Sequence, residues 1–205
     1  ASLLPQLRGA APIHWAIING FKKTGVTTFF INGKIDFGDI IEQKEVEIGD
    51  FENTGSLYEK LKITGSLLIL STLKLISKNN LKIIKQSNSL NLVKAPKLNK
   101  ENTKIDWNKS GFEIFNFIRG LSPFPSAWTK DEKNNKIIKL FNVIYHKETK
   151  TKHLNGVISI KNNMLKILLK DGYLEVLEIQ LEGKKRMSGK EFINGYKDYD
   201  SIRLL

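Results

Sequence analysis

A chain of 205 residues, 40% hydrophobic and 26% charged, has the make-up of an ordinary globular protein with one large domain or two small ones. It contains no cysteine, which excludes disulfides and thiolate catalysis and fits a cytoplasmic setting; no apolar run reaches the roughly 18 residues a bilayer span needs and no signal-peptide pattern opens it, so no membrane partner is expected. The net charge of +12 falls unevenly, +3 over residues 1–90 and +9 over 91–205, which points the second part toward a polyanion, although 29 lysines against 4 arginines also fit a compositional bias that spreads lysine over every surface.

Residues 2–13 read Ser-Leu-Leu-Pro-Gln-Leu-Arg-Gly-Ala-Ala-Pro-Ile, apolar, proline-marked and glycine-broken, with Arg8 the single charge. The two prolines keep a continuous helix from starting before Pro12. The stretch is either a buried strand-to-helix connection or a site loop whose rigid backbone faces a ligand. Residues 12–19 are predicted helix, with proline in the first turn and Asn19-Gly20 closing it. The β-branched and aromatic residues at 25–31 predict a strand, followed by an Asn32-Gly33 turn. Imperfect alternation at 40–48 predicts an edge strand with one wet face. A loop carrying Asp36 and Asp39 lies between the two strands. A long amphipathic helix is predicted at 54–77, with a stripe of Leu57, Leu61, Leu68, Ile69, Leu73 and Ile76 and with Thr54 as its N-cap. Residues 81–104 are polar, basic and poorly periodic, the pattern of a linker.

The second part restarts at Ile105-Asp106-Trp107. Ser110 is placed to cap a helix whose stripe is Ile114, Phe115, Phe117 and Ile118. Residues 121–128, with Pro123 and Pro125, form a rigid apolar turn into a strand. Short strands follow at 137–146, 156–161, 165–169 and 173–181, with Asp171-Gly172 as a tight-hairpin signal. A short helix is predicted at 188–193. One early helix, one late helix and a run of strands between them suggest a small antiparallel barrel, OB-like in type.

Asp36 and Asp39 are the best candidates for chemistry in the first part. They follow a predicted strand, where open α/β sheets bind ligands, and Gly38 between them allows close backbone approach. A half-buried carboxylate can serve as base or proton relay; the competing reading is a pair that merely caps the loop. His14 reads as a helix-surface residue, and His146 and His153 as surface residues flanking a lysine-rich turn. No metal-ligand spacing and no phosphate-binding glycine motif is present. The densest basic groups are Lys184-Lys185-Arg186 and the set Lys94, Lys97, Lys100 and Lys104. They are either a solvated face or a track for a phosphate backbone.

These motifs, taken in order, resemble the methionyl-tRNA formyltransferase family. The matching pieces are Ser-Leu-Leu-Pro-x-x-Arg-Gly-Ala-Ala-Pro-Ile-x-Trp-Ala-Ile at 2–17, Asn-Gly at 19–20, Thr-Gly-Val-Thr at 24–27 and Ile-Asp-x-Gly-Asp-Ile at 35–40. In the second part they are Ile-Asp-Trp at 105–107, Ile-Arg-Gly-Leu-Ser-Pro-Phe-Pro-Ser-Ala-Trp at 118–128, Gln-x-x-Gly-Lys-Lys-x-Met at 180–187 and Phe-x-x-Gly at 192–195. The resemblance implies the C-terminal portion of a doubly wound formyltransferase domain over 1–80, a basic linker over 81–104, and an OB-like C-terminal domain contacting tRNA over 105–205. It implies formyl transfer from 10-formyltetrahydrofolate, with no metal, to the amino group of methionyl initiator tRNA in translation initiation. Asp36 would be the catalytic carboxylate, acting through a water. Ser2, Leu3, Leu4 and Pro5 would line the folate pocket with their backbone, and Arg8, Lys94, Lys97, Lys184, Lys185 and Arg186 would contact tRNA. The full-length enzyme would be a monomer.

The same resemblance places an Asn-x-His pair and further βαβ units upstream of Ser2, and only Ala1 precedes Ser2 here. The expectation is therefore a C-terminal remainder that is inactive alone. The alternatives are a sugar-nucleotide formyltransferase and a non-catalytic tRNA-binding fragment.

Overall fold

A computed structural model describes residues 1–87, 91–148 and 155–205, and its contacts divide the chain into two compact units, Ala1–Leu98 and Asn99–Leu205. His153 lies outside the described residues.

In the first unit, β1 (Arg8–Gly9) leads into α1 (Pro12–Ile18), then β2 (Lys23–Phe29), β3 (Ile40–Glu47), α2 (Thr54–Ser77) and β4 (Lys94–Ala95). β2 and β3 form an antiparallel ribbon in which Thr27 lies opposite Gln43. β1 and β4 pair in parallel, with Arg8 opposite Lys94 and Gly9 opposite Ala95. Among the described residues these are two separate two-stranded sheets. Leu57, Leu61 and Leu68 on α2 pack with Leu7, Ala16, Ile17, Val26, Ile48 and Ala95 into one apolar cluster. Burying such side chains, at roughly 1.5–3 kcal/mol each, holds the helix on the ribbon.

The predicted apolar stripe of α2 is only half realised. Ile69, Leu73 and Ile76 are 53%, 56% and 43% exposed in this unit. The N-cap is also one residue earlier than predicted. Asn53 has extended backbone, and its side-chain oxygen accepts from the Ser56 N–H at 2.9 Å, whereas Thr54 is the first helical residue and is buried.

The segment expected as a linker is bonded into the first unit at Ile84, Gln86, Val93, Ala95 and Pro96. Ile84 and Ile40 exchange both backbone hydrogen bonds, at 2.8 and 2.9 Å. The Leu7 N–H donates to the Val93 carbonyl, the Val93 N–H to the Gln6 side chain, and the Ala10 N–H to the Ala95 carbonyl. Gly9 explains the closeness of this pairing. Its φ is +135°, and a Cβ there would stand 2.2 Å from the Ala95 carbonyl oxygen.

The second unit opens with a 3-10 turn (Glu101–Thr103) and α3 (Gly111–Leu121), capped as predicted: Ser110 and Glu113 form a reciprocal capping box. β5 (Ala127–Lys130), β6 (Ile137–Lys147), β7 (Val157–Lys161), β8 (Met164–Leu169), β9 (Gly172–Leu181) and β10 (Met187–Ser188) follow, then α4 (Gly189–Gly195) and a 3-10 turn (Lys197–Tyr199). The six strands make one antiparallel sheet in the order β5-β6-β9-β8-β7, with β10 also on β9. The hairpin expected at Asp171-Gly172 joins β8 to β9, with Leu169 paired to Gly172.

Among the described residues the strand pairings do not close a barrel: β5 and β7 are the two ends of the path and are not paired with each other. The chain's tail lies against both ends instead. Toward β7, Ile158 N–H donates to the Ile202 carbonyl and Leu204 N–H to the Gly156 carbonyl, each at 2.8 Å. Toward β5, Leu205 N–H donates to the Lys130 carbonyl at 2.8 Å and Glu132 N–H to the Arg203 carbonyl at 3.0 Å. Ile202 and Leu204 are buried beneath these bonds. Sheet edges left without partners are a liability, and the tail covers two of them.

Deleting residues 201–205 removes these bonds and the burial of two aliphatic side chains. The deletion is expected to cost about 3 kcal/mol or more, read as a lower urea midpoint for the second unit. An unchanged midpoint would show that the tail is not part of the fold.

Candidate active site

The opening stretch is held by hydroxyl and carboxamide groups on the β2–β3 ribbon. Thr27 Oγ1 donates to the Ser2 carbonyl at 2.6 Å and accepts from the Leu4 N–H at 3.2 Å. Gln43 Nε2 donates to the Leu4 carbonyl at 2.8 Å and to Thr27 Oγ1 at 2.9 Å. Ser2 and Leu4 are buried, while Leu3 and Pro5 are half-buried. The backbone of these residues is therefore fixed before any ligand arrives, which is the condition for precise positioning.

Asp36 stands on the loop between β2 and β3, with a φ of 57°. That left-handed backbone is uncommon for a residue with a side chain, though aspartate tolerates it better than most. Its Oδ2 accepts from the Gly9 N–H at 3.1 Å. Its carbonyl accepts from Arg8 Nε and from Gln86 Nε2, both at 3.0 Å. The Arg8 guanidinium lies over the Phe37 ring, 3.6 Å from its centroid.

Gly38 has a use different from the expected one. A Cβ at this position would lie 1.4 Å from the Phe30 carbonyl oxygen, so the close approach is to the chain's own strand. Asp39 closes the same loop through its carbonyl, which accepts from the Phe30 N–H at 2.9 Å. Asp36 and Arg8 thus share one set of hydrogen bonds with Gly9 and Gln86, and Ser2 and Leu4 a second with Thr27 and Gln43, both in the first unit. Lys94, on β4 opposite Arg8, and Lys97 are exposed on the same unit.

Lys184, Lys185 and Arg186 lie in the second unit, exposed, between β9 and β10. Arg186 is already engaged, ion-paired with Glu178 and 4.2 Å above the Phe141 ring. His146 is bonded to Glu175 at 3.1 Å and stacked on Tyr173 with ring centroids 4.7 Å apart. No group of three or more His, Asp or Glu side chains placed to hold a metal occurs among the described residues.

Two family models match this arrangement in chain order. The one described as formyl transferase covers residues 1–73, and the one described as formyl transferase, C-terminal domain, covers residues 97–197. The chain belongs to the formyl transferase family.

Among curated relatives, this formyl transferase chain is 47% identical over 206 residues to a methionyl-tRNA formyltransferase of Flavobacterium johnsoniae, which it matches over 100% of its own length. It is 44% identical over 201 residues to one of Chlorobium limicola. It spans 65% and 62% of the length of these two relatives. Among solved structures, HypX from Aquifex aeolicus superposes with a TM-score of 0.70 over 97% of this chain and 36% of that one, at 20% identity, a likeness of fold. WlaRD, a sugar 3N-formyl transferase solved in the presence of dTDP and 5-N-formyl-THF, superposes with a TM-score of 0.66 over 90% of this chain and 64% of that one, at 25% identity.

Gln86 and Gln43 hold this backbone without being singled out by the sequence, and Thr27 stands there only as the last residue of the Thr-Gly-Val-Thr match. Thr27 and Gln43 are cross-strand partners, so the correct register of the ribbon would have brought them together. Gln86 has no such signal, because it lies in an aperiodic segment 50 residues beyond Asp36.

Replacing Thr27 by valine keeps the shape but leaves the Ser2 carbonyl and the Leu4 N–H without their hydroxyl partner. The expected cost is about 1–3 kcal/mol in denaturant-measured stability of the first unit. A loss below about 0.5 kcal/mol would mean that the hydroxyl does not hold this backbone.

Proposed function

We propose that this chain is part of an enzyme that transfers a formyl group from 10-formyltetrahydrofolate to the amino group of methionyl initiator tRNA in the bacterial cytoplasm. What supports the substrate most directly is identity of 40–47% to methionyl-tRNA formyltransferases along nearly all of this chain. The geometry supports a role for Asp36: a carboxylate with one oxygen oriented by a backbone N–H, on a loop whose backbone is fixed by two further donors.

The chemistry is acyl transfer. The amine attacks the formyl carbon, a tetrahedral oxyanion forms, and the amine nitrogen must lose a proton. In this reading Asp36 accepts that proton through a water, and the backbone of Ser2, Leu3, Leu4 and Pro5 forms one wall of the folate pocket. The 205 residues contain no Asn-x-His sequence. They are therefore assigned one carboxylate and one pocket wall, and not the whole catalytic set.

Arg8, Lys94, Lys97, Lys184, Lys185 and Arg186 are proposed to contact tRNA phosphates, Lys184 and Lys185 more strongly than Arg186, whose charge Glu178 already partners. The tail bonds to both ends of the second unit's sheet favour an OB-like closure of that sheet, a shape that suits nucleic acid. The full-length enzyme is proposed to act as a monomer. The likeness to WlaRD favours a second reading, formyl transfer to a nucleotide-linked amino sugar.

Two measurements on the full-length protein test this reading. Asp36→Asn is expected to slow single-turnover formylation of methionyl-tRNA by about 10²- to 10⁴-fold while tRNA binding is kept. Activity on a nucleotide-linked amino sugar with none on methionyl-tRNA would replace the main reading with the second. Lys184→Ala with Lys185→Ala should weaken tRNA binding and flatten its dependence on salt by about two phosphate contacts. An unchanged salt slope would remove that turn from the interface.

A further inference from the structure

The Gln86 side chain bonds to both the Asp36 loop and the arginine beside it. Its Nε2 donates to the carbonyls of Asp36 and Gly38, at 3.0 and 2.6 Å. Its Oε1 accepts from Arg8 Nε and Nη2, at 3.1 and 2.6 Å. Arg8 Nε is shared between this oxygen and the Asp36 carbonyl. A single carboxamide thus ties together the loop backbone, where φ is left-handed at Asp36, and the adjacent guanidinium.

The charge distribution gives this ring a second consequence. Arg8 precedes Gly9, whose N–H donates to the Asp36 carboxylate, so the guanidinium starts from the residue next to that contact. It is directed elsewhere: Arg8 donates to the Asp36 carbonyl and the Gln86 carboxamide oxygen and lies on the Phe37 face. A freed guanidinium would find the Asp36 carboxylate as a bidentate partner, and an arginine–carboxylate pair holds the carboxylate in its charged form. Asp39 and Lys34 are the other charged groups of this loop, the Lys34 Nζ lying 5.9 Å from the centroid of the Phe37 ring.

We propose that Gln86 is a positioning residue for formyl transfer, holding the Asp36 backbone in place and keeping Arg8 off the Asp36 carboxylate so that the carboxylate stays available to take a proton. The proposal rests on the catalytic role given to Asp36 above. It assigns a function to a residue of the segment that sequence pattern marks as a linker.

The test uses the full-length enzyme and three variants, Asp36→Asn, Gln86→Leu and Gln86→Glu, each checked for native circular dichroism. Gln86→Leu is expected to lower kcat about 10-fold or more, with KM for tRNA and formyl donor unchanged within about twofold. Its acid limb in the pH–rate profile should move to lower pH, because Arg8 now pairs with Asp36. Gln86→Glu still offers Arg8 an oxygen acceptor, so its acid limb should not move to lower pH even if kcat falls. A Gln86→Leu enzyme with the original kcat and pH profile, beside an inactive Asp36→Asn, overturns the role of Gln86 alone. A lowered kcat with an unmoved acid limb contradicts the restraint on Arg8. An Asp36→Asn enzyme with the original rate overturns the catalytic reading and this proposal with it.

Discussion

The hydrogen bonds that converge on the Asp36 carbonyl are the constraint on which the first unit's site depends. A residue with a Cβ enters left-handed backbone at a cost, and here two donors from different parts of the chain, Arg8 and Gln86, fix it there. The parts are far apart in sequence, 28 and 50 residues from Asp36, so the loop has its shape only when β1, the β2–β3 ribbon and residues 84–86 are assembled together. The Ile40–Ile84 backbone pair brings the last of these into place. The carboxylate is held separately, one of its oxygens accepting from the Gly9 N–H.

The same assembly explains the composition of the opening stretch. Leu4 and Leu7 are buried, Gly9 lets β1 approach β4, and Thr27 and Gln43 fix the backbone of residues 2–4. The apolar, proline-marked segment is held as a rigid, half-buried stretch of backbone ahead of α1.

Elements with strong local signals are legible in the sequence. The capping box at Ser110, the hairpin at Asp171-Gly172 and the long helix over 54–77 follow from spacing that local chemistry enforces. Three features are not legible, each for a physical reason. The N-cap falls on Asn53 because the extended backbone there lets its carboxamide reach the Ser56 N–H, and both Asn53 and Thr54 are acceptable cap types. The described part of residues 81–98 looks like a linker because it is held by backbone pairings and by polar side chains such as Gln86, Gln6 and Trp15, none of which leaves a hydrophobic period. Arg186 looks like a free cation because sequence does not show that Glu178 and Phe141 stand beside it. Asp36, Arg8 and Gly9 are found by motif, whereas Gln86, which also shapes the Asp36 loop, is found only through its long-range contacts.

The contact between the Asp36 carboxylate and the Gly9 backbone N–H is where the site's geometry meets its proposed chemistry. Titration of this chain from neutral to acid pH, followed through the Gly9 amide resonance by NMR, tests it most directly. The predicted result is a Gly9 resonance that moves with a single carboxylate inflection, a movement that disappears in Asp36→Asn. A Gly9 amide that ignores acid pH, or that moves equally in Asp36→Asn, would contradict the contact and the orientation it gives the carboxylate.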